Sequence, residues 1–110
     1  MKPAHAALVS LDGKTALVSG GSRGIGRAIC LSLARAGAFV AVNYRSSEEA
    51  ARLTLNSIRE EGGIGELVPF DVSDASAVET SIAELLKHRP TIDIPVNNAG
   101  ISRDVLSGRR

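Results

Sequence analysis

Short apolar runs alternate along the chain with longer stretches in which apolar residues recur at helical spacing. The short runs predict strands at residues 15–18, 39–42, 67–70 and 92–96. The longer stretches predict three amphipathic helices, whose apolar stripes contain Ile25, Ala28, Ile29, Leu33 and Ala36, then Ala51, Leu55 and Ile58, then Val78, Ile82, Leu85 and Leu86. Strands that alternate with such helices are typical of right-handed βαβ units in a parallel sheet. The pattern therefore predicts an α/β fold.

Local signals mark the ends of several elements. Ser46 and Glu49 have capping-box spacing, which predicts the start of the second helix. Ser73 or Asp74 is the predicted cap of the third helix. Pro69 places the third strand at an edge of the sheet, because proline cannot donate to a strand ladder. The last turn of the third helix is predicted to hold three basic side chains, which are Lys87, His88 and Arg89.

A glycine-rich segment joins the first predicted strand to the first predicted helix. Gly20 allows a tight turn, Gly24 removes a side chain where a ligand would approach, and Gly26 lets the helix pack close to the sheet. The N–H groups at the start of such a helix suit a pyrophosphate, although a glycine turn without a ligand is the alternative. A P-loop is not indicated, because Arg27 and Ala28 replace its lysine and hydroxyl residue.

Polar residues or glycine follow every predicted strand, as Ser19-Gly20, Asn43-Tyr44-Arg45, Asp71 and Asn97-Asn98. Ligands of open parallel sheets bind outside these carboxyl ends, so a nucleotide crevice is predicted there. An acid directly after the second strand would bind a ribose 2′-OH, but the first acid there is Glu48. Arg23 and Arg45 would instead clamp a 2′-phosphate, unless both are simply solvated. NADP(H) is therefore expected, and NAD(H) is the less favoured cofactor.

Composition narrows the functional classes further. The 110 residues, 44% of them hydrophobic, suffice for one domain, predicted over 1–110. A net charge of +1 disfavours nucleic-acid or anionic-membrane partners, and no apolar run approaches the ~18 residues of a membrane span. Cys30 is the only cysteine, so no internal disulfide can form, and a cytoplasmic location is expected rather than secretion. Cys30 itself is expected in the core. His5 and His88 lack neighbouring Cys or acid clusters, so no metal site is expected.

Three motifs together resemble the short-chain dehydrogenase/reductase family: GKTALVSGGSRGIG at 13–26, Asp71-Val72, and Asn-Asn-Ala-Gly at 97–100. Bacterial 3-oxoacyl-acyl-carrier-protein reductases are the most similar members, through residues 43–46 and 101–104. The resemblance runs from about Leu11 to the end of the chain. It implies a Rossmann-like, doubly wound parallel sheet, incomplete at the C-terminus, with strand order 3-2-1-4 and three helices.

The resemblance also implies roles for individual residues. The turn from Gly20 to Gly26 would cradle the pyrophosphate, with Ser22, Arg23 and Arg45 near the 2′-phosphate. Asp71 would accept a hydrogen bond from the adenine amino group. Ser19 replaces the family's usual threonine and keeps its hydroxyl. The complete set of expected cofactor-binding residues is Gly20, Ser22, Arg23, Gly24, Ile25, Gly26, Tyr44, Arg45, Asp71, Val72, Asn98, Ala99 and Gly100.

The family's catalytic residues are not found in this sequence. They are a Tyr-x-x-x-Lys pair and a preceding serine, downstream of Asn-Asn-Ala-Gly. Tyr44 is the only tyrosine here, Glu48 stands four residues later, and the lysines are Lys2, Lys14 and Lys87. We therefore expect no catalytic residue, and expect a fourth strand that forms an open apolar edge containing Pro95.

Three functions remain open at this stage. The chain is the cofactor-binding half of an NADPH-dependent reductase of 3-oxoacyl-acyl-carrier-protein or related ketones, a non-catalytic dinucleotide-binding module, or an inactive truncated product. The first places the protein in fatty acid biosynthesis, with a carbonyl substrate bound only by a full-length form. Family members are usually homodimers or homotetramers, and the elements that make those contacts are expected to be missing here.

Overall fold

The computed structural model describes residues 10–99, which form an alternating α/β arrangement. Its strands are β1 (Thr15–Val18), β2 (Phe39–Tyr44), β3 (Ile64–Pro69) and β4 (Ile94–Val96). Its helices are α1 (Gly24–Arg35), α2 (Glu48–Glu60) and α3 (Ala75–Leu86). All strand pairs are parallel, and the order is β3-β2-β1-β4. The predicted fold class and strand order are confirmed.

Helices cover both faces of the sheet. Successive side chains of β1 point to opposite faces, so β1 contributes to the core on each side. Ala16 and Val18 pack in a core cluster that includes Cys30 of α1 and Ile58 of α2. Leu17 packs in a second cluster on the opposite face, together with three buried side chains of α3, which are Val78, Ile82 and Leu85. Parallel strands buried on both faces explain why the strand segments are almost continuously apolar. The sheet is therefore doubly wound, as predicted.

β2 extends two residues beyond its predicted end at Val42. Asn43 and Tyr44 continue the strand and pair with Val68 and Pro69 of β3. Asn43 is a poor strand former by propensity, and its place in the sheet comes from hydrogen bonds that only the folded chain supplies. The second strand therefore carries a buried amide to the carboxyl edge of the sheet.

The start of α1 differs from the predicted apolar stripe. Ile25 is 74% exposed, and Ala28 is exposed as well, so neither belongs to the core. The buried residues of α1 are Gly26 and Cys30, and at about 100° per residue Ile25 and Ala28 lie on a different face of the helix. Helical spacing alone does not contain this information.

The ends of the other helices correct two predictions. The capping box at Ser46 and Glu49 is wrong, since Ser47 is the N-cap of α2 and its side chain makes no capping hydrogen bond. Asp74 caps α3 as predicted, because its Oδ1 accepts from the Ala77 N–H at 3.1 Å. The basic residues Lys87, His88 and Arg89 follow α3, which ends at Leu86, instead of forming its last turn.

The two outer strands of the described sheet both contain proline. Pro69 lies in β3, and the edge position predicted from this residue is confirmed. β4 is shorter than predicted, and its exposed Pro95 pairs with Leu17 of β1. Asp93 precedes β4, and its carboxylate accepts from the Thr15 N–H at 2.8 Å. Over residues 10–99, every helix is too short or too polar to cross a membrane.

Candidate functional site

The loop after β1 and the first residues of α1, residues 19–26, form a turn at the carboxyl edge of the sheet, here called the glycine turn. Gly20 and Gly24 have φ angles of +67° and +55°, a region that other residues rarely adopt. A Cβ on Gly26 would overlap the carbonyl oxygen of Gly20, so α1 packs directly against the turn. The backbone thus explains why glycine occupies these three positions.

The start of α1 is open on the side of the turn. A Cβ built on Gly24 would meet no atom within 4 Å. Arg23 is the N-cap residue, but its side chain makes no capping hydrogen bond, and the first turn contains no acid. This contrasts with α3, whose first N–H groups are capped by Asp74. Uncapped N–H groups and the positive end of the helix dipole beside open space fit an anionic group such as a pyrophosphate.

Three side chains from other elements hold the glycine turn in place. Asn43 of β2 accepts a hydrogen bond from the Gly20 N–H at 3.0 Å through Oδ1. Thr54 of α2 is fully buried and donates to the Ser22 carbonyl at 3.2 Å. Asn98, after β4, donates to the Gly20 carbonyl at 3.3 Å. The turn is therefore bound to both neighbouring strands and to α2, which orders it without a ligand.

Ser19 connects the glycine turn to the segment after β4. Its hydroxyl donates to the Val96 carbonyl at 3.3 Å and accepts from the Ala99 N–H at 2.9 Å. The Ser19 N–H also donates to the Val96 carbonyl, at 3.0 Å. The hydroxyl that the sequence retains at this position thus joins the exits of β1 and β4.

Asp71 lies just beyond β3 and is fixed as a hydrogen-bond acceptor. Its Oδ1 accepts from the Ser73 N–H at 2.9 Å and the Ser73 hydroxyl at 2.7 Å. Its Oδ2 lies 3.2 Å from Nε of Arg45. The hydrogen bonds from Ser73, aided by the charge of Arg45, lower the pKa of this carboxyl group. An ionised Asp71 at the sheet edge suits the predicted bond from an adenine amino group.

The two predicted phosphate-binding arginines have different surroundings. Arg45 is 77% exposed and pairs with Asp71, as described above. Arg23 lines a groove between the glycine turn and the start of α2, together with Ser46, Ser47, Glu48, Glu49, Ala50 and Leu53. Both arginines lie near the segment that follows β2, in which Glu48 is the first acidic residue.

The side chain of Tyr44 is buried in the core. Its side chain is 8% exposed and packs in the core cluster of α1 and α2. Its hydroxyl donates to Oε1 of Glu48 at 3.2 Å, and burial followed by this hydrogen bond raises the pKa of the phenol. The same Glu48 carboxylate pairs with Arg52 at 2.8 Å, and these two partners lower its pKa. Tyr44 therefore acts as a core residue that anchors the start of α2.

The remaining predicted site residues are divided between core, surface and undescribed positions. Val72 is half-buried and packs against the core cluster on the α3 side. Ile25 is exposed beside the glycine turn, and the Ala99 backbone bonds to Ser19. Gly100 lies outside the described residues, as does His5. The structure thus brings the described members of the predicted set to one edge of the sheet.

Other potentially reactive groups have structural explanations. Cys30 is fully buried, and burial raises the pKa of its thiol to about 12, which agrees with the predicted core role. His88 is exposed, with Nε2 2.7 Å from Oε1 of Glu66. Arg89 lies over the Phe39 ring at 4.3 Å and donates to the Thr15 hydroxyl at 2.9 Å. Residues 10–99 contain no cluster of three or more His, Cys, Asp or Glu that would hold a metal ion.

Sequence reasoning missed two side chains that shape the site. Thr54 stands in a helix and has no motif that marks it, so only its position in the fold reveals its bond to Ser22. The sequence predicts Asn43 at the second strand end, but the contact of Asn43 with Gly20 depends on the β1–β2 pairing. Their residue types did carry a signal, since both are polar residues within otherwise buried patterns.

Comparison with known protein families agrees with this geometry. The sequence model of the short chain dehydrogenase family matches residues 14–108. The chain belongs to this family. The motifs quoted above predicted this membership, which is thereby confirmed. The glycine turn and the strand ends of this short-chain dehydrogenase lie within the matched region.

Among curated relatives, the chain is similar to both long and short family members. The 3-oxoacyl-[acyl-carrier-protein] reductase FabG of Staphylococcus aureus (strain Mu50 / ATCC 700699) is 45% identical over 93 residues, which cover 84% of this chain and 38% of FabG. The short-chain dehydrogenase/reductase homolog YusS of Bacillus subtilis (strain 168) is 44% identical over 92 residues, which cover 84% of both proteins. The chain thus spans little more than a third of the length of FabG but most of YusS.

Solved structures of the family share this fold. A dehydrogenase/reductase from Sinorhizobium meliloti 1021 matches with a TM-score of 0.81 at 44% identity, over 87% of this chain and 38% of that one. A short chain dehydrogenase from Burkholderia cenocepacia J2315, solved in complex with NADP, matches with a TM-score of 0.76 at 43% identity, over 84% of this chain and 38% of that one. The Rossmann-type architecture of this short-chain dehydrogenase is therefore established.

Proposed function

We propose that this chain is the cofactor-binding part of an NADPH-dependent short-chain oxidoreductase that reduces 3-oxoacyl-acyl-carrier-protein or a related ketone. The observation that carries the proposal is the braced glycine turn, whose uncapped helix start adjoins open space at Gly24. The likeness to FabG supports the substrate class. It also supports a place in fatty acid biosynthesis, and the lone cysteine supports a cytoplasmic location.

The described residues fit a dinucleotide cofactor. The turn from Gly20 to Gly26 would hold the pyrophosphate, and Asp71 would accept from the adenine amino group. Ser22, Arg23 and Arg45 would surround the 2′-phosphate, and Asn98 and Ala99 would line the ribose. Ile25, Tyr44 and Val72 complete the described part of the site as apolar or backbone contacts, and Gly100 would extend it. The nicotinamide supplies the hydride when the cofactor is bound.

The preference for NADP(H) over NAD(H) rests on charge. A carboxylate at the end of β2 would repel a 2′-phosphate, and the residue that follows β2 here is Arg45. Arg45 is mostly exposed, so it is free to turn from Asp71 toward a phosphate at little energetic expense. The related structures from Burkholderia cenocepacia and from a metagenomic source are described as complexes with NADP, which supports the same choice.

We propose further that the 110-residue chain binds the cofactor without catalysing hydride transfer. Its only tyrosine is buried and hydrogen-bonded to Glu48, so it is unavailable as a proton donor to a carbonyl. A proton donor in position contributes roughly 10²–10⁴-fold to the rate of such reactions. A non-catalytic dinucleotide-binding module is the second candidate, which the burial of Tyr44 favours.

Cofactor titration tests the binding proposal. We expect NADPH to bind about tenfold or more tightly than NADH, because charge-assisted hydrogen bonds to a phosphate contribute about 1.5–3 kcal/mol. Arg45→Ala should remove most of this preference by weakening NADPH binding and leaving NADH binding nearly unchanged. Arg59→Ala, on an exposed part of α2, is the matched control and should behave as the wild type. Equal affinities for both cofactors in the wild type would contradict the NADPH assignment.

Turnover measurements test the proposed lack of catalysis. The chain is incubated with NADPH and an acetoacetyl thioester, and cofactor oxidation is followed by absorbance. We expect no oxidation above the rate without protein, although NADPH binds. Substrate-dependent oxidation that scales with protein concentration would contradict the non-catalytic proposal and favour a complete enzyme.

A further inference from the structure

Asn43 connects three chain segments that end at the same edge of the sheet. It lies within β2 and is 2% exposed. Its Oδ1 accepts from the Gly20 N–H at 3.0 Å, and its Nδ2 donates to the carbonyl oxygens of Val68 and Phe70 at 3.0 and 3.2 Å. Its own carbonyl accepts from the Gly21 N–H at 2.9 Å. One buried residue thus joins the glycine turn, β2 and the exit of β3.

Both the oxygen and the nitrogen of the Asn43 side-chain amide make hydrogen bonds. The oxygen serves the glycine turn, and the nitrogen serves the exit of β3. Leucine has nearly the same shape but would leave the Gly20 N–H and the Phe70 carbonyl without their partner, which is unfavourable in a buried site. Aspartate would keep the bond to Gly20 but set its second oxygen against two carbonyl oxygens. Asparagine is therefore matched to both sides of the contact.

The two sides of Asn43 lead to the two ends of the proposed cofactor site. Gly20 opens the turn that would hold the pyrophosphate, and Phe70 directly precedes Asp71, which would hold the adenine. We infer that Asn43 is a positioning residue that fixes the spacing between the pyrophosphate end and the adenine end of the site, an inference that rests on the proposed function. A dinucleotide that contacts both ends depends on this spacing, whereas a ligand held at the adenine end alone does not.

Two ligands of different reach test this role. NADP⁺ extends from Asp71 to the glycine turn, whereas adenosine has adenine and ribose but no phosphate for the turn. In Asn43→Leu we expect the dissociation constant of NADP⁺ to rise about tenfold or more, and that of adenosine to change less than about threefold. Asn56→Leu, at an exposed position on α2, is the matched control and should alter neither constant. The two affinities are measured by calorimetry on the full chain.

The outcomes separate this inference from the proposed function. If NADP⁺ binds the wild type and Asn43→Leu equally well, the positioning role is wrong and the proposed function stands. If both ligands weaken by the same factor, Asn43 is merely structural and the positioning role is again wrong. If the wild type binds no NADP⁺, the proposed function fails, and this inference fails with it.

A measurement on the wild type alone covers the case in which Asn43→Leu does not fold. Hydrogen exchange of the Gly20 amide, which donates to Asn43, is followed by NMR with and without adenosine, which has no phosphate for the glycine turn. We expect the bound ligand to slow this exchange about threefold or more. A ligand at Asp71 would restrict the motion of the neighbouring Phe70 carbonyl, and Asn43, which bonds to both Phe70 and Gly20, would in turn hold the Gly20 N–H more firmly. An unchanged exchange rate at Gly20 with the adenine end occupied would overturn the inference.

Discussion

Replacing Gly26 by alanine tests the close packing of α1 against the glycine turn. The added Cβ would overlap the Gly20 carbonyl oxygen and lie 2.9 Å from Nδ2 of Asn98. Alanine favours a helix over glycine by about 1 kcal/mol, whereas overpacking against backbone destabilises by about 3 kcal/mol, the upper end of the usual range. We therefore expect the free energy of unfolding to fall by about 2 kcal/mol. Because the turn must also shift, NADP⁺ affinity should fall about tenfold or more.

Urea unfolding and cofactor titration of the same samples provide the assay. Ala28→Gly is the matched control, since Ala28 is exposed on the same helix. This control should lose about 1 kcal/mol of stability, through helix propensity alone, and keep its cofactor affinity. A Gly26→Ala protein at least as stable as the wild type would refute the packing argument. Loss of stability with unchanged cofactor affinity would refute the link between the turn and the ligand.

Three further predictions concern individual side chains. Burial raises the pKa of Cys30 to about 12, so its thiol should resist a disulfide reagent in the folded protein at mildly alkaline pH. The thiol should react once urea unfolds the chain, and rapid labelling of the native state would contradict this prediction. Asp74→Ala should lower the free energy of unfolding by about 1 kcal/mol because the Ala77 N–H loses its acceptor, while Asp74→Asn should retain most of the stability, and equal losses would contradict the cap. The Thr15 N–H lowers the pKa of Asp93, so Asp93 stabilises the fold above its unfolded pKa of about 4, and this contribution is lost as the pH falls through the folded pKa. Asp93→Asn should therefore lower the urea midpoint at neutral pH and converge with the wild type in acid, and a constant difference would contradict this account.

Much of the fold follows from local patterns, because strands buried on both faces and amphipathic helices differ in their periodicity. β1 has the bounds that its apolar run predicts, and Asp74 caps α3 as its residue type and place suggest. Predictions failed where the same pattern fits two environments. Ile25 continues a helical stripe, but the buried face of α1 is the one that contains Gly26 and Cys30, so Ile25 is exposed. Ser46 has a capping-box partner in sequence, but the helix begins one residue later than that cap requires.

The candidate site divides in a similar way. The glycines of the turn can be predicted from the sequence, because a positive φ angle or the close approach of α1 to the turn requires glycine at these positions. The contacts of Asn43 and Thr54 with that turn arise only when β2 and α2 pack beside it. The pairing of Arg45 with Asp71 joins two strand ends that are remote in sequence. Such contacts depend on tertiary structure, so the residues that order and tune the site are identified only from the fold.

The most direct test of the central claim is an NMR titration of the full chain with NADP⁺, followed at individual backbone amides. We expect the largest shifts at the glycine turn from Gly20 to Gly26 and around Asp71, with Lys87 and His88 unaffected beyond the opposite end of α3. A second groove lies between β3 and α3 and is lined by Glu66, Thr80 and His88, among others. Shifts confined to that groove, or no shifts at millimolar NADP⁺, would contradict cofactor binding at the carboxyl edge of the sheet.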